Sequence, residues 1–224
     1  MAVYETLSSE QKQLMRKHLE LVLEANKTVN LTRIDSLEEG MVLHVEDSLV
    51  GLKELNECDE GDYADLGSGA GFPGIPLAIA TGRKTLLVDA RQKKMKVLDD
   101  IIEELGLSAQ VETFPGRAEL LARSQSGRYV ALTARALAQL SILLELASPL
   151  LKHGGRLICY KANVEESELS HAESVQKATG MKLKSTRELL LEGDYHRTII
   201  TFEKVAKPTM KLPRLEGQAQ KEPL

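Results

Sequence analysis

The stretch Asp65-Leu66-Gly67-Ser68-Gly69-Ala70-Gly71-Phe72-Pro73-Gly74-Ile75-Pro76 packs four glycines and two prolines behind a short apolar run that ends in a carboxylate. Glycines at 67, 69 and 71 let backbone approach a ligand that a Cβ would exclude. A strand ending in an acid, then Gly-x-Gly-x-Gly, then a helix, is how an open α/β sheet builds a nucleotide crevice. The third glycine falls one residue early for the dinucleotide fingerprint Gly-x-Gly-x-x-Gly. Pro73 and Pro76 also occupy the helix start, where a pyrophosphate would meet free N–H groups. Asp65 suits a ligand carrying positive charge, such as the amino group of an aminoacyl tail. These departures point to S-adenosylmethionine instead of a dinucleotide.

Further polar residues recur at the ends of later apolar runs. Asp89 closes Leu86-Leu87-Val88, about twenty residues past the glycines, where a carboxylate accepts from ribose hydroxyls; both cofactor classes share that offset. In Gly116-Arg117-Ala118-Glu119, a carboxylate and a neighbouring N–H can read an adenine amino group and ring nitrogen. An acid in the first turn of a helix is equally explained by the helix dipole. Arg135 follows the fourth apolar run and Lys161 the fifth, on the edge where ligands bind. A surface arginine and a snorkelling lysine are the plain alternatives.

What is missing narrows the chemistry. No Asn-Pro-Pro-aromatic turn follows the fourth run, and neither Cys58 nor Cys159 sits where a nucleophile would. The five histidines have no metal-ligand spacing, so no metal site is expected. Residues 1–60 carry six Lys/Arg against thirteen Asp/Glu, and the rest 23 against 20. Within that rest, Arg91-Gln92-Lys93-Lys94-Met95-Lys96 holds four positive charges and no acid. From Arg197 onward six basic residues face three acidic ones. Either cluster fits a solvated surface or a phosphate-binding one. No run approaches the roughly 18 apolar residues of a membrane span, and two thiols with no leader imply a reduced, cytoplasmic protein.

The elements that must position these residues alternate. Helices are expected from Ser8 or Ser9 and from Ser36, the latter with Glu39 as a capping-box partner and running through Leu52. Strands are expected at 63–66, 85–88, 110–114, 129–133 and 156–160, with helices at 75–80, 93–105, 118–124 and 140–151. Gly154-Gly155 reads as a helix stop. A helix near 164–178 then leads to antiparallel strands 182–190 and 197–204 around Glu192-Gly193-Asp194. The fold class is α/β: a Rossmann-like, mostly parallel seven-stranded sheet with a C-terminal antiparallel hairpin, preceded by N-terminal helices. Three parts are expected: an N-terminal helical extension packed on the core (1–58), a cofactor-binding core (59–206) and a tail (207–224).

Five segments together resemble one family. His44-Val45-Glu46-Asp47-Ser48-Leu49, the Asp65–Pro76 run, Gly116–Glu119, Arg135-Ala136-Leu137-Ala138 and Tyr160-Lys161 fall in the order and spacing of the RsmG family, also called glucose-inhibited division protein B. Asn30-Leu31-Thr32 belongs to the same pattern. The match spans about residues 20–205. The family is one of bacterial small-subunit rRNA guanine-N7 methyltransferases with the class I S-adenosylmethionine-dependent fold. The resemblance implies that Gly67, Phe72, Ala118, Glu119 and Arg135 contact S-adenosylmethionine. It implies as acceptor one guanine in the 530-loop region of 16S rRNA, in the small ribosomal subunit or its assembly intermediate.

With the residues read above, the expected cofactor set is Asp65, Gly67, Gly69, Gly71, Phe72, Asp89, Ala118, Glu119 and Arg135, with Arg135 also catalytic. His44, Arg91, Lys93, Lys94, Lys161 and Arg214 are the expected RNA-facing residues, and a monomer is expected. The tail departs from the family's basic, proline-containing ending, keeping Pro213, Arg214, Gly217, Lys221 and Pro223-Leu224. Competing readings are a methyltransferase of small molecules or proteins, a non-catalytic RNA-binding module and, most distantly, a nicotinamide dehydrogenase.

Overall fold

A computed structural model describes residues 3–224; Met1 and Ala2, the start of the expected N-terminal extension, lie outside the described residues. Seven strands form one sheet: β1 (Tyr63–Leu66), β2 (Thr85–Asp89), β3 (Val111–Pro115), β4 (Tyr129–Arg135), β5 (Leu151–Lys161), β6 (Met181–Leu191) and β7 (Tyr195–Lys204). Their order is β3-β2-β1-β4-β5-β7-β6. β1 pairs in parallel with both β2 and β4, so the winding reverses there and opens a crevice at the strand ends. All four residues of β1 are buried, as expected of a central strand covered on both faces. The final hairpin is antiparallel, with β7 inserted beside β5. Gly193 and Asp194, both at positive φ, make its turn.

The boundary between the fourth helix of the core and β5 differs from the sequence expectation. The helix expected at 140–151 ends at Ala147, and Gly154-Gly155 lie inside β5 instead of stopping a helix. Pairing jumps from Tyr129–Leu151 to Ala131–Arg156, so β5 bulges at these glycines. Gly154 has φ +81°, and a Cβ on Gly155 would meet the Tyr129 carbonyl oxygen at 2.9 Å. The pair is demanded by the bulge.

Helices cover both faces. On one, Ser9–Asn26, Gly74–Thr81 and Gln92–Glu104 share a core that includes Met15, Leu19, Ile75, Leu98 and Ile102. The first of these starts with a reciprocal capping box between Ser8 and Gln11. On the other face, Ala118–Ser124, Leu140–Ala147 and Glu166–Ser174 pack over Leu143, Leu157 and Phe202. The single helix expected from Ser36 is broken. Leu37–Gly40 is followed by a π-type turn at Met41–Glu46, then by Asp47–Leu49 and Leu52–Asn56. That wide turn puts both His44 and Asp47 within reach of one guanidinium, a common setting for π-bulges.

The last residues are more than a frayed end. They lie back on the second face, where Ala219 is buried within a short helix, Gln218–Lys221, and Leu224 packs against the core.

Candidate active site

A cavity of about 650 Å³ lies at the carboxyl ends of β1–β4, lined by the segments that follow each of these strands and by the loop at 30–33. After β1 the backbone takes positive φ at Gly67 (+72°), Gly69 (+56°) and Gly71 (+88°). The Val88 carbonyl accepts from Gly67 N and Ser68 N, which folds the turn over the end of β2. Asp89 is held there by Gly69 N on Oδ2 (3.1 Å) and Arg91 N on Oδ1 (2.8 Å). Its carboxylate stays half-exposed in the cavity wall.

Two expected cofactor contacts have other work. Asp65 is buried away from the cavity, with Thr133 Oγ1 donating to Oδ1 (2.7 Å) and Gly74 N to Oδ2 (3.0 Å). Burial pushes its carboxyl up to about 7. It ties β1 to β4 and to the following helix, and a Cβ on Gly74 would come within 2.9 Å of its Oδ2. Gly71 faces inward, where a Cβ would meet Ile75 Cδ1 at 2.7 Å and His18 Nε2 at 3.1 Å. Its role is packing.

Beside the turn, Phe72, His44 and Arg135 form one wall. The His44 and Phe72 rings stack at 4.5 Å with planes 7° apart, and the Arg135 guanidinium carbon is 5.8 Å from the Phe72 centroid. Arg135 Nη2 contacts His44 Nδ1 at 3.3 Å. A guanidinium only donates, so Nδ1 accepts, and Nε2–H donates to Thr32 Oγ1 at 2.7 Å. Burial, then the Arg135 charge, lowers the His44 pKa to about 3, leaving it neutral. Arg135 Nη1 donates to Asp47 Oδ2 at 2.8 Å, while Arg197 Nε takes Asp47 Oδ1 at 2.7 Å. Ala136 follows at φ +54°, a conformation that costs a non-glycine residue about 1 kcal/mol or more. That backbone turn lays Leu137 over Gly67, where a Cβ would meet Leu137 Cδ1 at 2.7 Å.

The opposite end is formed by Ala118, Glu119 and the chain terminus. Glu119 is 3% exposed and its Oε1 accepts from Gly217 N at 2.7 Å; Gln220 also lines the cavity. Around the mouth stand Arg33, Arg91, Lys94 and Arg117. Lys94 Nζ also donates to the Leu31 carbonyl at 3.0 Å, fixing the 30–33 loop.

Of the expected RNA-facing residues, His44, Arg91 and Lys94 therefore border the cavity. Three others do not. Lys93 is exposed but outside the cavity wall. Lys161 lies outside the cavity wall, its ammonium paired with Glu168 (2.5 Å) and donating to the Ala138 carbonyl (3.0 Å), so its charge is matched inside the protein. Arg214 forks onto Glu145, with Nε on Oε1 at 2.7 Å and Nη2 on Oε2 at 2.5 Å.

Sequence reasoning quoted Asp47, Thr32 and Arg117 within its motifs but gave them, and Arg33, no role in the site. Asp47 had a signal: an acid three residues after His44, on a mostly apolar helix face, needs a cation. Cys58 and Cys159 are buried thiols raised by burial to about 11 and about 12, unsuited to nucleophilic attack. Among the described residues, no group of three or more His, Cys, Asp or Glu is arranged to hold a metal.

Residues 11–200 match the family model described as "rRNA small subunit methyltransferase G". A curated relative of that name from Limosilactobacillus reuteri is 37% identical over 98% of this chain and 93% of its own length. Another, from Carboxydothermus hydrogenoformans, is 34% identical over 98% and 94%. Among solved structures, an O-methyltransferase from Bacillus cereus in complex with SAH superposes with a TM-score of 0.60, at 18% identity, over 84% of this chain and 90% of its own. The geranyl diphosphate C-methyltransferase of Streptomyces coelicolor gives 0.56, at 12% identity, over 69% and 77%. The structures share the class I methyltransferase fold, and the sequence relationship goes further: this chain belongs to the rRNA small subunit methyltransferase G family.

Proposed function

We propose that this rRNA methyltransferase transfers a methyl group from S-adenosylmethionine to N7 of one guanine in the 530-loop region of 16S rRNA. The methyl donor is S-adenosylmethionine, which supplies an electrophilic methyl on a sulfonium. The polar groups of the cavity suit it: Asp89 to accept from ribose hydroxyls, Glu119 to accept from the adenine amino group, and the open glycine turn between them. The observation that carries the reading is that the glycine turn and a basic mouth (Arg33, Arg91, Lys94, Arg117) border one cavity. A phosphate-bearing acceptor and the cofactor would therefore meet in one space.

Guanine N7 presents an in-plane lone pair and loses no proton when alkylated, so positioning supplies the catalysis. The wall residues fit that demand. His44 is neutral with both nitrogens engaged, and the cavity-facing carboxylates of Asp89 and Glu119 already accept backbone N–H groups. Arg135, fixed by Asp47 and lying 5.8 Å from the Phe72 ring centroid, is the group proposed to place the reactants.

The test is to map N7-methylguanine in 16S rRNA with and without this protein, and to offer unmethylated small subunits to the purified enzyme with labelled cofactor. One guanine in the 530-loop region should gain the mark. Methylation of another base, or only of small molecules or proteins, overturns the assignment. Substituting Arg135→Ala should lower turnover strongly.

A further inference from the structure

The C-terminal segment beyond residue 211 is anchored on both sides of its contact with Glu119. Upstream, Arg214 forks onto Glu145, which is 2% exposed. Downstream, Ala219 is 1% exposed, and the His171 ring contacts the Leu224 carbonyl at 2.5 Å. Arg214 Nη2 also donates to the Glu222 carbonyl at 2.8 Å, closing the segment on itself. Between these anchors Gly217 takes φ +71° and donates its N–H to Glu119 Oε1 across 98 residues of sequence. That conformation is strained for any residue with a Cβ. The partner given to this buried acid is thus an uncharged amide, which leaves its negative charge in place and orients it. Three residues on, exposed Gln220 stands in the cavity wall itself.

We propose that residues 212–224 are a wall of the cofactor pocket: Gly217 sets the Glu119 carboxylate toward the adenine amino group, and Gln220 gives the same base a second polar edge. The proposal rests on the reading of Glu119 as the adenine-facing acid. With Oε1 engaged by Gly217, Oε2 is left to accept from an exocyclic amine. A base carrying a carbonyl at that position sets a lone pair against the carboxylate, where neither group can donate. It also turns the adjacent ring N1 from an acceptor into an N–H donor that cannot accept from the neighbouring backbone N–H, so it is disfavoured on both counts. The chain end therefore acts in cofactor selection, and Arg214 is a positioning residue acting through Gly217, not an RNA contact.

Calorimetry with S-adenosylhomocysteine and S-inosylhomocysteine, which differ at that exocyclic group and in the hydrogen on the adjacent ring N1, tests this on the full chain. The unaltered protein should favour the adenosyl compound tenfold or more. Gln220→Ala, an exposed change that leaves the anchors intact, should weaken the adenosyl compound several-fold and the inosyl compound much less. Arg214→Ala should shrink the preference further, with its melting temperature recorded alongside. In the unaltered chain, S-adenosylhomocysteine should also slow amide exchange across residues 214–221. If the unaltered protein discriminates but Gln220→Ala keeps its ratio and 214–221 gain no protection, the wall is overturned while the Glu119 reading stands. If the unaltered protein does not discriminate, the Glu119 reading falls and the wall with it.

Discussion

The two ends of the cavity are built with the same device and reach opposite results. At one end Asp47, almost fully buried, holds a guanidinium; at the other Glu145, equally buried, holds another. Asp47 serves two arginines, Arg135 and Arg197, so that end keeps a net positive charge, and Arg135 carries it into the cavity wall. Glu145 serves Arg214 alone within its ion pair, outside the wall, and what reaches the cavity there is the Glu119 carboxylate with one amide on it. One end thus suits an anionic group and the other a hydrogen-bond donor. Buried ion pairs contribute little net stability for their charge. Here they set polarity and position.

The largest expected effect comes from removing the shared acid. Asp47→Ala leaves two mostly buried guanidiniums facing each other, and losing one partner of a buried pair typically costs about 3–5 kcal/mol. Urea unfolding should show a large drop in midpoint, with methyl transfer lost. Asp47→Asn, which keeps hydrogen-bond acceptance without the charge, should fall between. If Asp47→Ala unfolds like the native protein, the acid does not organise this end.

Next in size is Arg135→Lys. The ammonium can still neutralise Asp47 but cannot fork to Asp47, the Leu43 carbonyl and His44 together. The melting temperature should change little while methyl transfer drops tenfold or more. Equal losses of stability and activity would reduce Arg135 to a scaffold element.

How much of this was legible depends on what each residue's neighbours in sequence disclose. The alternation of apolar runs and helical spacing specified the sheet, and the places of Gly67, Gly69, Asp89 and Glu119 in the cavity wall were readable because a turn or strand end at a known offset announces them. Asp65 and Gly71 satisfied the same pattern but face inward, a difference set by Thr133 and His18, which lie 68 and 53 positions away in the chain. Lys161 and Arg214 read as free cations because Glu168 and Glu145 become their partners only after a helix has folded back. The tail has little apolar content, so nothing in its composition announces that polar contacts to Glu145, Glu119 and His171, with Ala219, dock it. Long-range pairing of polar side chains was the illegible part.

Smaller effects should come from the mouth, whose arginines are exposed. If Arg33 and Arg91 meet phosphates, Arg33→Gln or Arg91→Gln should each reduce by about one the slope of log affinity for rRNA against log salt. Cofactor affinity should be unchanged. A slope that does not move returns these arginines to a solvated surface and leaves Arg135 as the positive end's sole contribution.

The smallest effect concerns pH and separates buried groups that packing places side by side. His18 is lowered by burial to about 4 and His44 to about 3, against about 6.5 when unfolded. From pH 6.5 downward toward 4 the unfolded chain takes up two protons that the native one refuses, so stability falls as pH drops. Asp65 works the other way. Its native value near 7 exceeds the unfolded value near 3.8, so between these the native state holds a proton the unfolded chain has lost, and stability falls as pH rises. The two histidines outweigh the one acid, and between pH 4.5 and 6 stability should rise with pH by about one proton net. Asp65→Asn deletes the opposing contribution and should steepen that slope to about two protons, read from urea unfolding at half-unit pH steps. An unchanged slope would mean that Asp65 is ionised in the folded protein and that Thr133 and Gly74, not a proton, offset its burial.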